Sequence, residues 1–175
     1  GSVFVDDDGA GNFTKIQDAI NASEIGDVIV VRNGTYSENL VVDRPVILKG
    51  EDKPVIKGSG LSAPLVTITS GNVTLDGLAF SGSLNDSFDA GAVLVLADGC
   101  KLLNSTISGS SGNGLKLRDS GNHLASGNQI HDNRYGGVCA IRANTSQFIG
   151  NQVFRNGKWG VALDGCEYAA LMQNE

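Results

Sequence analysis

The second half of this chain repeats itself every 22 to 23 residues. Val93, Leu115, Val138 and Val161 follow one another at steps of 22, 23 and 23; Ile107, Ile130 and Val153 keep a step of 23, and so do Leu102, Ala125, Phe148 and Leu171. Asn128, Asn151 and Asn174 form another series on that step, with Ser105 one period earlier. So short a period indicates a solenoid, in which each repeat buries its apolar face only against its neighbours. Inside a repeat the apolar residues alternate, as in Gly114-Leu115-Lys116-Leu117 and Gly160-Val161-Ala162-Leu163. That is the period of a strand, not of a helix. Gly and Asn fall between the strands, where a tight turn needs φ above zero. One coil per repeat, strands stacked in parallel and asparagines piled at one corner together predict an all-β protein, a parallel β-helix.

The composition agrees: 24 glycines and 15 asparagines are residues of turns rather than of helix interiors. A net charge of −6 with a pI near 4.8 excludes nucleic acid as a partner, because phosphates demand clustered Lys and Arg. No run of 18 apolar residues occurs, so no membrane span is expected in this segment. Gly1-Ser2 reads as a cloning remnant, and the lack of a signal peptide therefore carries no weight. The period puts Cys100 in register with Asn122 and Thr145, Cys139 with Lys116 and Ala162, and Cys166 with Ser120 and Ala143. Coils stack about 4.8 Å apart, so Cys100 and Cys166 are separated by roughly 14 Å, beyond the 7 Å or so that a disulfide spans. Cys139 and Cys166 are out of register, and three free thiols are expected.

Residues 1–27 stand apart from the coils at 28–175. Val3-Phe4-Val5 reads as a strand and the run from Asp6 to Asn12 as a polar turn. Thr14 and Gln17 make a capping box ahead of Ile16, Ala19 and Ile20, which share one helical face. A helix over about residues 14–22 would cover the open apolar end of the solenoid and its unpaired strand edge. Gly11-Asn12-Phe13-Thr14-Lys15-Ile16-Gln17-Asp18-Ala19-Ile20, Gly26-Asp27-Val28-Ile29-Val30-Val31 and Asn33-Gly34-Thr35-Tyr36-Ser37-Glu38-Asn39-Leu40 resemble the opening of pectin-lyase-like right-handed β-helices, a superfamily that includes pectin methylesterases and surface proteins. The coil from Asn128 to Val138 is similar to NosD-type and carbohydrate-binding/sugar-hydrolase repeats. The resemblance spans nearly the whole chain and implies a right-handed β-helix of about six coils with an N-terminal capping helix. It specifies the fold, and a fold hosts many activities.

Residues 81–91 interrupt the period and read as a loop inserted between coils, where solenoids often border their binding grooves. Leu94 and Leu96 are expected to point outward, with Phe88 and Leu84 of this loop as their cover. At the other end, Leu171 to Glu175 match Phe148 to Gln152, so the chain stops within a coil. Either it is the N-terminal piece of a longer protein, or the uncapped end self-associates with another copy.

Candidate binding residues gather on one turn of successive coils. Asp132-Asn133-Arg134-Tyr135-Gly136 aligns with Arg155-Asn156-Gly157-Lys158-Trp159. Tyr135 and Trp159 with Arg134, Lys158 and Arg155 suit a sugar chain, the aromatics stacking and the cations holding carboxylates; mutual packing of the two aromatics across adjacent coils also fits. His131-Asp132 is the only His-acid pair inside the repeat. As neighbours on a strand the two should face opposite ways, which leaves His131 solvated. The outward positions Lys116, Arg118, Cys139, Ile141, Ala162 and Asp164 lie on the sheet exterior where the resemblance places lyase catalysis. They lack the acidic calcium ligands of lyases and the paired-Asp and glutamine set of pectin methylesterases, so no catalytic residue is assigned. Asp6-Asp7-Asp8-Gly9 lacks the spacing and closing Glu of a calcium loop. The histidines, cysteines and Met172 have no metal-ligand spacing. No metal and no cofactor are expected.

Seven sequons, at Asn12, Asn21, Asn33, Asn72, Asn85, Asn104 and Asn144, exceed the roughly two that this composition gives by chance. Turn-forming Asn, Ser and Thr co-occur in coils, and a surface protein exposed to N-glycosylation would show the same excess. The sequence thus points to a non-catalytic, carbohydrate-contacting module of a secreted or cell-surface protein, with polysaccharide or glycan as the partner. The alternatives are the N-terminal part of a polysaccharide lyase, hydrolase or epimerase whose acids lie beyond Glu175, and a structural spacer of a surface layer.

Overall fold

The computed structural model describes residues 1–175. Its strands form three sheets of eight, six and six, and successive strands of a sheet come from successive coils. A representative coil runs through Leu124–Ser126 in the first sheet, Gln129–His131 in the second and Gly136–Ile141 in the third. It then re-enters the first sheet at Gln147–Ile149. Pairing is parallel throughout. Six strands in each of the second and third sheets make six full turns of a parallel β-helix. Ser2–Val5 is already a strand of the first sheet, paired with Val28–Val31.

The registers are those read from the sequence. Val93 pairs with Leu115, Leu115 with Val138 and Val138 with Val161; Ile107, Ile130 and Val153 stack in the second sheet. Apart from Val153 and Val161, which pack half-buried against it, their side chains belong to one continuous core of 33 buried apolar residues, because alternate strand positions face the solenoid axis. Val153 is half-buried rather than buried, since it lies in the edge strand of its sheet and has a neighbour on one side only. Cys100 is one residue off the expected register. Lys101 pairs with Leu124, which sets Cys100 level with His123 and not with Asn122. All three cysteines are free.

The helix spans Ile16–Ala22, two residues shorter than expected at its start, and Thr14 does not cap it. A carboxylate from elsewhere does so. Glu38 Oε2 accepts the N–H of Ile16 at 2.9 Å and Oε1 that of Gln17 at 3.0 Å, which satisfies two orphan donors and places an anion at the positive helix end. Ile16, Ala19 and Ile20 are fully buried against the first coil. The Gln17 amide meanwhile accepts the Val41 N–H at 2.8 Å and donates to the Val41 carbonyl at 3.0 Å. Val41 sits in the edge strand Leu40–Val42, so Gln17 takes the place of a missing strand there.

Each turn of the coil must bend its backbone three times without leaving buried N–H or C=O groups unpaired. Asparagine does this at the corner between the first and second sheets. Asn151 Oδ1 accepts both the backbone N–H and the Nδ2 of Asn128 at 3.0 Å, while its own Nδ2 donates to the Ala125 carbonyl and to Asn174 at 2.9 Å. Asn128 repeats the pattern toward Ser105 and Leu102. A second stack, unnoticed in the sequence, occupies the corner between the second and third sheets, where Asn156 serves Asn133 and Asn133 serves Ser110. Glycine lets the chain pass this stack: a Cβ on Gly137 would lie 2.7 Å from Asn156 Nδ2 and 2.9 Å from the Gly160 carbonyl.

Two substitutions test this reading by chemical denaturation. Asn151→Leu should destabilise by about 1–3 kcal/mol although it adds apolar surface, because the Asn128 and Ala125 groups lose their partners. Equal stability would make Asn151 an ordinary turn residue. Glu38→Ala should cost about 0.5–2 kcal/mol through the lost helix cap, with no effect if the helix is held by packing alone.

Candidate functional site

The inserted loop decides the geometry of the site. Residues 82–90 fold back along the outer face of the third sheet through short side-chain-to-backbone turns: Asn85 Oδ1 accepts the Ser87 N–H at 2.9 Å and Ser87 Oγ the Asp89 N–H at 3.2 Å. The sheet holds the loop in return. Asn113 Nδ2 donates to the Phe88 and Ala90 carbonyls, each at 3.0 Å, and Arg118 donates to the Asp89 carbonyl at 3.1 Å. Under the loop, all of Gly91–Val95 is buried, and so is Leu94, for which an outward position had been expected to need a cover. Leu84 itself stays exposed.

Phe88 has a different task from the one the sequence suggests. Its ring lies 5.2 Å from the Lys116 ammonium, 5.6 Å edge-to-face from Trp159 and 6.3 Å from Tyr135. Lys116, an outward position by strand alternation, is 0% exposed beneath it and donates to the Phe88 carbonyl at 3.1 Å and to Cys139 Sγ at 3.2 Å. The exterior row Leu94, Lys116, Cys139 and Ala162 is in register as expected and carries no carboxylate.

Tyr135 and Trp159 therefore meet through Phe88. The Lys158 ammonium stands 5.1 Å from the Tyr135 ring and the Arg134 guanidinium 5.9 Å from it, distances of cation–π attraction. Both cations are exposed, and neither joins a carboxylate in any ion pair of the molecule. Trp159 lies flat over Gly136, where a Cβ would fall 1.8 Å from its Nε1, and that indole N–H is buried without a partner. Phe88 remains half exposed above it. No enclosed cavity of ligand size accompanies this corner. The apolar void beside Cys100, Leu102 and His123 measures about 10 Å³, and the one broad depression lies at the N-terminal cap between Ser23 and Arg44.

Arg155 lies apart from the aromatics. It binds Asp132 bidentately, at 2.9 and 2.8 Å, and stacks on Phe154. His131 and Asp132 do meet, at 2.5 Å, contrary to the strand argument. Asp132 has φ of +57° and has already left the strand, which turns its carboxylate back toward the ring. Arg155 first and His131 second hold the Asp132 carboxyl well below the usual range. His131 is stacked on Phe154 at 4.8 Å rather than solvated. In the Asp6–Asp8 turn, Asp6 accepts the Asp8 N–H, Asp8 that of Ala10 and Asp7 that of Thr35.

His123 belongs to the third corner, between the third and first sheets. Its Nδ1 accepts the Cys100 N–H at 3.2 Å, which makes Nε2 the protonated nitrogen facing Ser120 Oγ at 2.9 Å. Ser146 Oγ accepts the His123 N–H from the next coil.

The family described as "Right handed beta helix region" matches residues 65–175. The chain belongs to that family. A cell surface glycoprotein of Methanothermus fervidus is 32% identical over 97 residues, which are 54% of this chain and 16% of that protein. The β-helix chain therefore spans a small part of that relative. Among solved structures, carrot pectin methylesterase superposes with a TM-score of 0.66 at 18% identity, over 86% of this chain and 51% of that one. The tailspike protein gp49 of Acinetobacter baumannii bacteriophage Fri1, a capsular polysaccharide depolymerase, gives 0.66 at 13% identity over 86% and 36%. At these identities the likeness is one of fold. No helix of the β-helix protein is long and apolar enough to cross a membrane.

His123 yields a pH test. Burial lowers its pKa in the fold, against the opposing pull of the Ser120 backbone and the Asp98 carboxylate. The unfolded chain therefore takes up the proton first as pH falls, so this contribution to stability is complete above about pH 6.5 and is lost below it. Urea midpoints should fall between pH 7 and pH 5, before the carboxylates titrate, and His123→Asn should flatten that slope. An unchanged slope would assign the pH dependence elsewhere.

Proposed function

We propose that this β-helix contacts an anionic polysaccharide on the surface formed by Phe88, Tyr135 and Trp159 with Arg134 and Lys158, as part of a secreted or cell-surface protein. The carrying observation is the pair of exposed cations without acid partners beside a half-exposed aromatic platform. Aromatic faces stack on sugar rings, and unpaired cations suit uronate carboxylates. What sets these two cations apart is that both stand within cation–π distance of one aromatic ring, that of Tyr135. Arg155 is committed to Asp132 and takes no part. The Methanothermus fervidus surface glycoprotein and the polysaccharide-directed names of the matching structures support the same reading.

A second reading, that the chain forms part of a polysaccharide esterase, lyase, hydrolase or epimerase, is favoured by the number of pectin methylesterases among those structures. Against it stands the exterior of the third sheet, where the row Leu94, Lys116, Cys139 and Ala162 has no carboxylate and Asp164, level with Ile141, is the one acid among the outward positions named above, with no second acid to serve as partner. Release of methanol or of unsaturated or reducing ends from pectin by this chain would favour the enzyme.

Trp159 is the only tryptophan, so its fluorescence reports on this corner directly. Because a stack contributes only about 1 kcal/mol and a millimolar Kd already requires about 4 kcal/mol, oligouronates should bind no tighter than the millimolar range, more weakly above about 0.1 M salt, with little response to neutral oligosaccharides. Lys158→Gln and Phe88→Ala should each weaken the response several-fold. No response to either sugar class from the folded protein would leave packing as the only role of the three aromatics.

A further inference from the structure

The seven sequons are unequal once the chain is folded. N-glycosylation joins the Asn Nδ2 to a sugar and requires the Ser or Thr two residues on to be reachable as well. Asn85 fails the first condition, being buried in the inserted loop with its Oδ1 bonded to the Ser87 N–H. Asn33 donates its Nδ2 to the Asp52 carbonyl at 2.7 Å, and Asn104 donates its own to Asp76 at 3.2 Å. Asn21 and Asn144 fail the second condition. Ser23 is buried and bonded to the Ala19 carbonyl, and Ser146 is buried beneath His123.

Asn12 and Asn72 pass both. Asn12 is exposed, its Oδ1 is pinned by the Phe4 N–H at 2.8 Å, its Nδ2 has no partner, and Thr14 is exposed. Asn72 is exposed at φ of +58°, its Nδ2 also has no partner, and Thr74 opens the strand Thr74–Asp76 on an outward position. Asn72 lies on the corner between the third and first sheets, whereas Phe88, Tyr135 and Trp159 lie on the corner between the second and third. A glycan there leaves the aromatic corner free. One at Asn85 would break the loop that forms it.

We propose that Asn12 and Asn72 are the N-glycan acceptors of the folded chain. The donor is a lipid-linked oligosaccharide and the catalyst a membrane oligosaccharyltransferase. The Asn Nδ2 forms a bond to the anomeric carbon, the bond from that carbon to the lipid phosphate oxygen breaks, the phosphate leaves with the electron pair, and the amide gives up one proton to a base of the transferase.

The test is incubation of the folded protein with a purified oligosaccharyltransferase and its lipid-linked oligosaccharide, followed by peptide mass spectrometry. A synthetic peptide of residues 70–76 serves as the control for transferase activity. Two added glycan masses are expected, at Asn12 and Asn72, with Asn21, Asn33, Asn85, Asn104 and Asn144 unmodified. Asn72→Gln and Thr74→Val should each remove one glycan mass, while Asn85→Gln should remove none. Modification of the peptide without modification of the folded chain would overturn the proposal. So would occupancy of Asn21, Asn33, Asn85, Asn104 or Asn144 matching that of Asn72.

Discussion

A coil that turns three times around an apolar core carries backbone amides into places water does not reach, and the pairing of those amides is the constraint on which this protein depends. Backbone bonds satisfy the sheets and part of each corner, as where the Gly127 N–H meets the Ile149 carbonyl, and leave the remaining corner amides to side chains. Those side chains stand in for backbone: Asn128, Asn151 and Asn174 at one corner, Asn133 and Asn156 at the next, His123 and Ser146 at the third. Asparagine suits the first two because its amide presents an acceptor and two donors in one plane. Each residue in the stack accepts from one coil and donates to another. The solenoid is thereby held by polar columns at its corners as well as by the apolar column at its centre.

The same logic explains the two places where the repeat is broken. At the N-terminal end the helix covers the apolar opening, and the Gln17 amide imitates the strand that Leu40–Val42 lacks. On the third sheet the inserted loop converts an exterior face into an interior one. Leu94 and Lys116 follow strand alternation faithfully and point outward, yet both are buried. Lys116 can lie there because the Phe88 carbonyl, the Phe88 ring and Cys139 surround its ammonium. Phe88 is thus both the roof over Lys116 and the exposed surface of the aromatic corner, which couples the packing of the loop to any contact made there.

The residues that look most chemical by type divide sharply by position. Asp132, Arg155 and His131 neutralise one another against Phe154 and have little left to offer a ligand. Arg134 and Lys158, two and three residues further along the same turns, join no ion pair. The difference arises from φ above zero at Asp132 and Arg155, which aims their side chains along the stack toward each other.

The sequence by itself determined the solenoid, the register of its core and the inward asparagines, because a constant step of 23 residues forces chemically like residues to stack and leaves few ways to bury them. It also located the covering helix by its apolar spacing, although Glu38, 22 residues beyond Ile16, replaced the local cap. The second polar column was legible in Asn133 and Asn156, one step apart, and was obscured by the charged and aromatic residues around them. Only the tertiary structure decided which outward residues are outside. The outward Leu94 does call for a cover from the inserted loop, but no local pattern states that Lys116 is buried beneath it, that Phe88 packs against both Tyr135 and Trp159, or that Arg155 turns to Asp132. These depend on where a non-repeating loop comes to rest, and a period cannot encode what happens once.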